Sequence, residues 1–255
     1  MIFIEASSRQ STVEDGGEDI RYPALIIGIA VTVAVLAACG GDEDEPEQQA
    51  INPDDFSTTI DNSFFPLTGL GPKVFEGEEV DPETGEIVPI RLESTVLPET
   101  DTVAGVEVLV LREDDFVDGE LVETAFDYFA QHRDGSVYYF GERVDNFVDG
   151  ELVDHEGSWL AGEGDNLPGV IMPGDPVPGQ LFKQEQAPGV AEDEAKVVAL
   201  DEAVTTPAGS FDGCLKTEDS NPLEEPVVIE FKFYCPGVGL VREEFPEGEL
   251  NLVSH

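Results

Sequence analysis

From Lys73 onward, apolar and polar positions alternate with period two in runs of four to ten residues, broken by Gly, Pro and Asp. Successive strand side chains point to opposite faces, so the pattern predicts β-strands. Val106, Val108 and Val110 alternate with Glu107, Leu109 and Leu111, and Phe126 and Tyr128 alternate with Asp127 and Phe129. Helical periodicity is essentially missing. Asp-Gly pairs occur at 118–119, 134–135, 149–150 and 212–213, and the first three lie between alternating runs. Asp-Gly supplies the positive φ angles of a tight hairpin turn, so these three predict a meander of antiparallel strands. Asp81-Pro82-Glu83-Thr84-Gly85 predicts a further hairpin. The heptapeptide Phe-Val-Asp-Gly-Glu-Leu-Val stands at 116–122 and again at 147–153, and reads as two similar hairpin tips in one meander. Ten to twelve strands without helices give an all-β fold, a strongly bent antiparallel meander that forms a barrel or half-barrel. The Gly- and Pro-rich stretch Glu163–Gly179 reads as the longest segment outside strands, either a mouth loop or a linker between half-sheets.

Ahead of the strands the pattern changes. An apolar run from Pro23 to Ala38 ends at Leu36-Ala37-Ala38-Cys39, and polar, acidic sequence follows. An aliphatic and two small residues before Cys, closing an apolar core, read as the lipobox of a bacterial lipoprotein signal peptide. That reading implies lipidation of Cys39, cleavage before it, and a signal peptide spanning 1–38. Residues 1–20 carry no apolar periodicity, and the signal reads best with its start after them. The competing reading is an uncleaved span over Tyr22–Cys39, close to the roughly 20 residues a membrane helix needs. Residues 39–55 are acidic and self-repelling, a tether that holds a single domain, 56–255, off the bilayer. Two or three acyl chains, palmitate among them, anchor stably where one is marginal.

Charge narrows the partners. Residues 1–38 hold five of the 56 acids and two of the 12 Lys and Arg, so the remaining 217 residues keep 51 against 10, a formal charge of −41. Nucleic-acid binding rests on Lys and Arg neutralising phosphates, so this surface excludes it. Membrane contact must likewise come from lipid, because no basic patch is present. The acidity fits a solvated coat, salt adaptation or cation binding.

Little else carries chemistry. Once Cys39 is lipidated, Cys214 and Cys235 remain, and an even pair in an exported chain suggests a disulfide, with two buried thiols as the alternative. Alternation argues mildly against the bridge, since Cys235 shares a face with Phe231 and Phe233 while Cys214 lies opposite Leu215. Ser158 and Ser210 lack the Gly-x-Ser-x-Gly context of a hydrolase elbow, and His132, His155 and His255 suggest no triad, so no catalytic residue is assigned and the chain reads as a non-enzyme. No cofactor is implied. An irregular calcium site could draw on Asp145, Asp149, Asp154 or Glu156, although Phe147 and Val153 fall where an EF-hand needs oxygen. The aromatics Phe126, Tyr128, Tyr138, Phe140, Trp159, Phe231 and Phe233 lie on neighbouring predicted strands, where they line a ligand pocket or fill a core.

Several segments carry a resemblance: Asn62-Ser63-Phe64-Phe65-Pro66-Leu67, Gly157-Ser158-Trp159, Pro168-Gly169-Val170-Ile171-Met172-Pro173, Gln184-Glu185 with Pro188-Gly189-Val190-Ala191-Glu192-Asp193, Gly209-Ser210-Phe211 with Cys214-Leu215, and Tyr234-Cys235-Pro236-Gly237-Val238-Gly239-Leu240-Val241. Together they resemble a family of uncharacterised bacterial exported β-proteins over most of 52–245. The likeness implies export and an all-β fold and brings no activity with it. The expectation is a lipid-anchored protein of the cell envelope, on the extracytoplasmic side. It would bind a small hydrophobic or amphipathic ligand on the concave face of its sheet, or else act as a structural or adhesive surface protein holding divalent cations, with an unrecognised hydrolase as the lesser alternative.

Overall fold

The computed structural model describes residues 51–81 and 84–255. The lipobox, Cys39 and most of the tether lie outside the described residues, as do Pro82 and Glu83 of the first predicted turn. The described part is built from fifteen strands and one 3-10 turn, Pro53–Asp55. In chain order the strands begin with β1 (Phe56–Ser57), β2 (Lys73–Val80), β3 (Ile87–Val103), β4 (Val106–Val117), β5 (Glu120–His132) and β6 (Val137–Val148). Four short strands follow: β7 (Glu151–Asp154), β8 (Trp159–Leu160), β9 (Gly169–Met172) and β10 (Leu181–Lys183). The chain continues with β11 (Glu194–Thr206), β12 (Gly209–Ser220), β13 (Glu230–Cys235), β14 (Gly239–Phe245) and β15 (Gly248–Ser254). The count exceeds the expected ten to twelve because β1 and β7–β10 run for only two to four residues, too few to show an alternation.

All pairing is antiparallel, in one sheet of order β10-β11-β12-β13-β14-β15-β2-β3-β4-β5-β6-β7, with β1 on β5 and β8 and β9 on β6. Hairpins make every neighbour along this path except β6–β7's short companions, the β10–β11 junction, and β15–β2, which joins two meanders. The three expected Asp-Gly connections join neighbouring strands, although at Asp134-Gly135 only the glycine takes a positive φ, of 90°. Asp118 and Gly119 take φ of 50° and 81°, and Asp149 and Gly150 take 53° and 77°, the left-handed pair that a two-residue hairpin demands. The repeated heptapeptide therefore forms two equivalent tips, β4–β5 and β6–β7. A third such turn, Ala104-Gly105 at φ of 50° and 81°, joins β3 to β4. Ala gives no turn signal, so this hairpin was not expected.

The sheet curls until distant strands meet. Phe65 contacts both Phe129 on β5 and Tyr234 on β13, at ring-centroid distances of 5.2 and 6.4 Å, although six pairings separate those strands. The two edges are not joined by a continuous ladder. Instead, the stretch read as a mouth loop or linker fills the seam. Gly169–Met172 pairs with β6 as β9, Leu167 bridges to Gln186, and the Gln186 side chain donates to Pro168 O at 2.8 Å. A Cβ at Gly169 would lie 1.9 Å from Gln184 O, so only glycine lets the two sides of the seam close.

Candidate functional site

Register pairing identifies the enclosed face. Opposed residues of an antiparallel pair share a face, so Val96, Leu111, Asp127 and Glu142 form one row across β3–β6. Val197, Thr217, Lys232, Glu243 and Leu250 form another across β11–β15. Following each strand away from the β5–β6 and β13–β14 turns, the inner residues change character. Leu109 and Leu111 give way to Glu113 and Asp115 on β4, Phe129 to Asp127 on β5, and Leu215 to Thr217 and Asp219 on β12. The inner face is therefore a trough, apolar at one end and acidic at the other.

The apolar end is plugged. Residues 60–67 turn across it and present Phe65 to Phe129 and Tyr234, while Phe129 stacks on Tyr139 at 4.8 Å. Asn62 fixes this plug: its Oδ1 accepts the amides of Phe64 and Phe65, and its Nδ2 donates to Gly135 O and Pro173 O. The Gln131 side chain accepts the amides of Asp61 and Asn62 from β5. Lys73 Nζ donates to Val238 O and ties β2 to the β13–β14 turn; burial lowers its pKa to about 8, against the pull of Glu113.

The acidic end is buried as well. Among the described residues eight Asp and Glu side chains are buried, and Lys232 is the one buried Lys. Tyr139 Oη donates to Asp127 Oδ1 at 2.6 Å, and burial pushes Asp127 up to about 6. Trp159 Nε1 donates to Glu185 Oε1 at 3.3 Å. Burial raises Glu185 strongly, helped by the adjoining Asp193 carboxyl, and raises Glu142 strongly, helped by Glu185. Asp193 rises to about 6 through burial, with Lys232 opposing. Lys232 Nζ stands 3.9 Å from Asp219, 3.9 Å from Glu230 and 3.8 Å from Glu243. Burial works against its charge, but Glu243, Asp219 and Glu230 outweigh that and hold its pKa well above the ordinary Lys value. Burial in turn lifts Glu230 to about 7 and raises Asp219 and Glu243. Asp193 adjoins the Glu185 carboxyl and Thr217 adjoins Asp219, all of them buried.

The seven expected pocket aromatics do not share one face. Trp159 lies inside, edge-on to Tyr139 at 5.5 Å. Phe126 opposes Arg112 and Arg143 on the outer face, where Arg143 reaches over the Tyr128 ring at 6.0 Å. Tyr138 and Phe140 are outer too, covered by Phe56, whose ring lies 5.3 Å from each. Phe231 and Phe233 flank the inward Lys232, point outward, and carry Lys216 Nζ at 4.0 and 4.9 Å. Alternation groups residues within a strand but does not say which group the curl encloses, and Tyr139 and Phe129, the neighbours of the expected residues, line the trough instead. A separate cleft of about 480 Å³ opens on β2–β4 beside Gly77, Ile90, Arg91 and Phe116 and contains none of the seven.

Cys214 and Cys235 are disulfide-bonded, with Cα atoms 4.1 Å apart. Leu215 opposes Tyr234, so the next pair in register is Cys214 and Cys235. Their mutual opposition, not the faces of their sequence neighbours, decides the geometry. The calcium candidates remain apart in role. Asp145 pairs with His155 at 2.8 Å, Asp149 occupies a turn, Asp154 accepts from Asn146 Nδ2 and the Glu156 amide, and the Glu156 side chain is exposed. Among the described residues no three His, Cys, Asp or Glu side chains are grouped to hold a metal ion. His132 pairs with Asp134 at 3.0 Å.

No family model matches the chain, and no curated protein does. Two crystal structures have a similar outline. One is a Bacteroides fragilis protein described as exported and of YmcC-like fold, at TM-score 0.45 and 15% identity over 76% of this chain and 98% of that one. The other is a Parabacteroides distasonis protein described as a lipoprotein, at TM-score 0.40 and 16% identity over 76% of this chain and 98% of its own.

Proposed function

We propose that this chain is a non-enzymatic binding protein of the cell envelope, held to the extracytoplasmic side of a membrane by lipid on Cys39, with a hydrophobic or amphipathic small molecule in the trough. The observation that carries the reading is the inner face of the curled sheet, apolar towards one end and acidic towards the other. A molecule that is apolar along its length and polar at one end complements that gradient. The Cys214–Cys235 disulfide supports an oxidising compartment, in agreement with the lipobox.

Mass spectrometry of the full-length protein from the membrane fraction, under native and then denaturing conditions, tests both halves. The native form is expected to carry a small molecule that is released on denaturation, and the denatured chain to start at Cys39 with acyl mass attached. Replacing Cys39 with Ser is expected to abolish that mass and shift the protein out of the sedimenting envelope. Identical masses under both conditions would reject the binding reading, and unchanged sedimentation of the Ser variant would reject the anchor.

A further inference from the structure

The two ends of the sheet differ in what they expose. Ile51 to Asp55 lie at the end formed by the β3–β4 and β5–β6 turns, where Arg133 pairs with Asp55 and Pro53 adjoins Gly105. The opposite end is formed by the β2–β3, β4–β5, β6–β7, β12–β13 and β14–β15 connections. Seven of the eleven large exposed hydrophobic side chains among the described residues stand there: Val80 and Ile87 on the β2–β3 hairpin, Leu152 and Val153 on β7, and three more within 221–229. Ile87, at 68%, is the most exposed of all eleven. Register makes these hairpin ends neighbours, since Phe231 opposes Glu244, Gly248 opposes Glu79, Ile90 opposes Val117 and Glu123 opposes Asn146. The eight strand spacings from β13 to β7 give a rim roughly 40 Å long. Scattered surface aliphatics are ordinary, but a row gathered at one end marks a contact surface.

A cleft opens beside the rim. Glu76 opposes Arg91, Val80 opposes Ile87 and Arg91 opposes Phe116, so these side chains share the outer face. The cleft, of about 480 Å³, lies among Pro89, Ile90, Phe116 and the β4–β5 turn at Gly119. The Asp118 amide donates to Pro89 O at 2.8 Å and holds that turn against β3. Arg91 in the wall bonds Glu76 at 2.6 Å and Glu93 at 2.7 Å, which leaves the lining one net negative charge.

Charge selects the occupant. The residues that form this end, 77–81, 84–90, 117–122, 147–154, 221–229 and 244–249, include fourteen acids and no Lys or Arg. A second copy, the acidic stretch 42–47, an anionic bilayer and nucleic acid would all meet the rim with like charge. A basic segment that also carries apolar side chains complements both features. We propose that this end of the sheet docks a basic, amphipathic segment of another protein, its apolar residues on the hairpin ends and in the cleft beside Phe116, its Lys and Arg among the surrounding carboxylates. The inference stands apart from the trough ligand, because the cleft lies on the outer face.

Fluorescence anisotropy of the full-length protein with short labelled peptides, alternating Lys and Leu, Lys and Ser, or Glu and Leu, tests the inference at 150 mM salt. The Lys-Leu peptide is expected to bind at least about tenfold tighter than Lys-Ser, since burying a single Leu side chain suffices for that ratio. The Glu-Leu peptide is expected not to bind. Combining Ile87→Ser, Val153→Ser and Val227→Ser, all at exposed positions, should abolish the Lys-Leu advantage, whereas Leu181→Ser with Val198→Ser, on β10 and β11, should preserve it. Equal binding of Lys-Leu and Lys-Ser would overturn the inference by showing attraction through charge alone, as would failure of all three peptides to bind. An advantage that survives in the rim variant, or vanishes in the β10–β11 variant, would overturn the assigned location. A dimer seen in sedimentation and lost in the rim variant would replace the proposed partner with a second copy, and phosphatidylglycerol-vesicle binding that the rim variant weakens would replace it with a lipid surface.

Discussion

At the residue scale, the buried acids set the direction of pH dependence. Glu230 has a pKa raised from 4.5 to about 7 by burial, with Glu243, Asp219 and Glu224 adding to the effect and Lys232 opposing it. The folded form therefore holds a proton that the unfolded chain releases between those values. Stability from this group is full below pH 4.5 and is lost as pH rises toward 7, the reverse of an ordinary salt-bridged carboxylate. The difference is on the order of 3 kcal/mol for Glu230 alone. Asp127 and Asp193, each at about 6, act with the same sign. Denaturant unfolding at pH 5 and pH 8 is expected to give the higher stability at pH 5, and Glu230→Gln is expected to flatten that slope. A flat profile would show that these carboxyls ionise as freely in the folded protein as in the unfolded chain, and a slope of opposite sign that folding favours their ionisation. The inward acids were not legible beforehand, because Arg112-Glu113-Asp114-Asp115 is polar on both faces and offers no contrast to show which side is enclosed.

At the element scale, the hairpins explain both what the sequence disclosed and what it hid. Asp118-Gly119 and Asp149-Gly150 were readable because their backbone angles favour particular residues. The β3–β4 turn uses Ala104 at φ of 50°, where long strand pairing on both sides holds an angle that Ala disfavours. The seam was hidden because β8 and β9 are short and irregular, and Gly and Pro there serve close approach and exit from the sheet, not a free loop. The disulfide staples the β12–β13 hairpin across the exposed stretch Asn221–Ile229, with a sequence separation of 21. Chain-entropy arguments assign a loop of that size about 3 kcal/mol. Cys214→Ala with Cys235→Ala is expected to lower unfolding stability by that order, and reductant is expected to lower the parent by as much without affecting the double variant. A double variant as stable as its parent would show that sheet pairing alone holds these strands.

At the scale of the whole molecule, self-repulsion is the governing quantity. The chain carries 56 acids against 12 Lys and Arg, and exposed like charges interact over about 30 Å at 10 mM salt but only about 3 Å at 1 M. The thermal midpoint is expected to rise by several degrees over that range of NaCl, and to rise equally in CaCl2 of matched ionic strength. A distinctly larger rise in calcium would instead favour the adhesive, cation-holding role. One pairing shapes how this sheet can come to exist. β2 waits for β15, which follows every other strand in sequence. In a chain made N-terminus first, β2 to β7 can zip together at once, yet β2 keeps a bare backbone rim until the last strand is delivered. Until then the nascent sheet stands as two unjoined half-shells, and only the final ladder completes it.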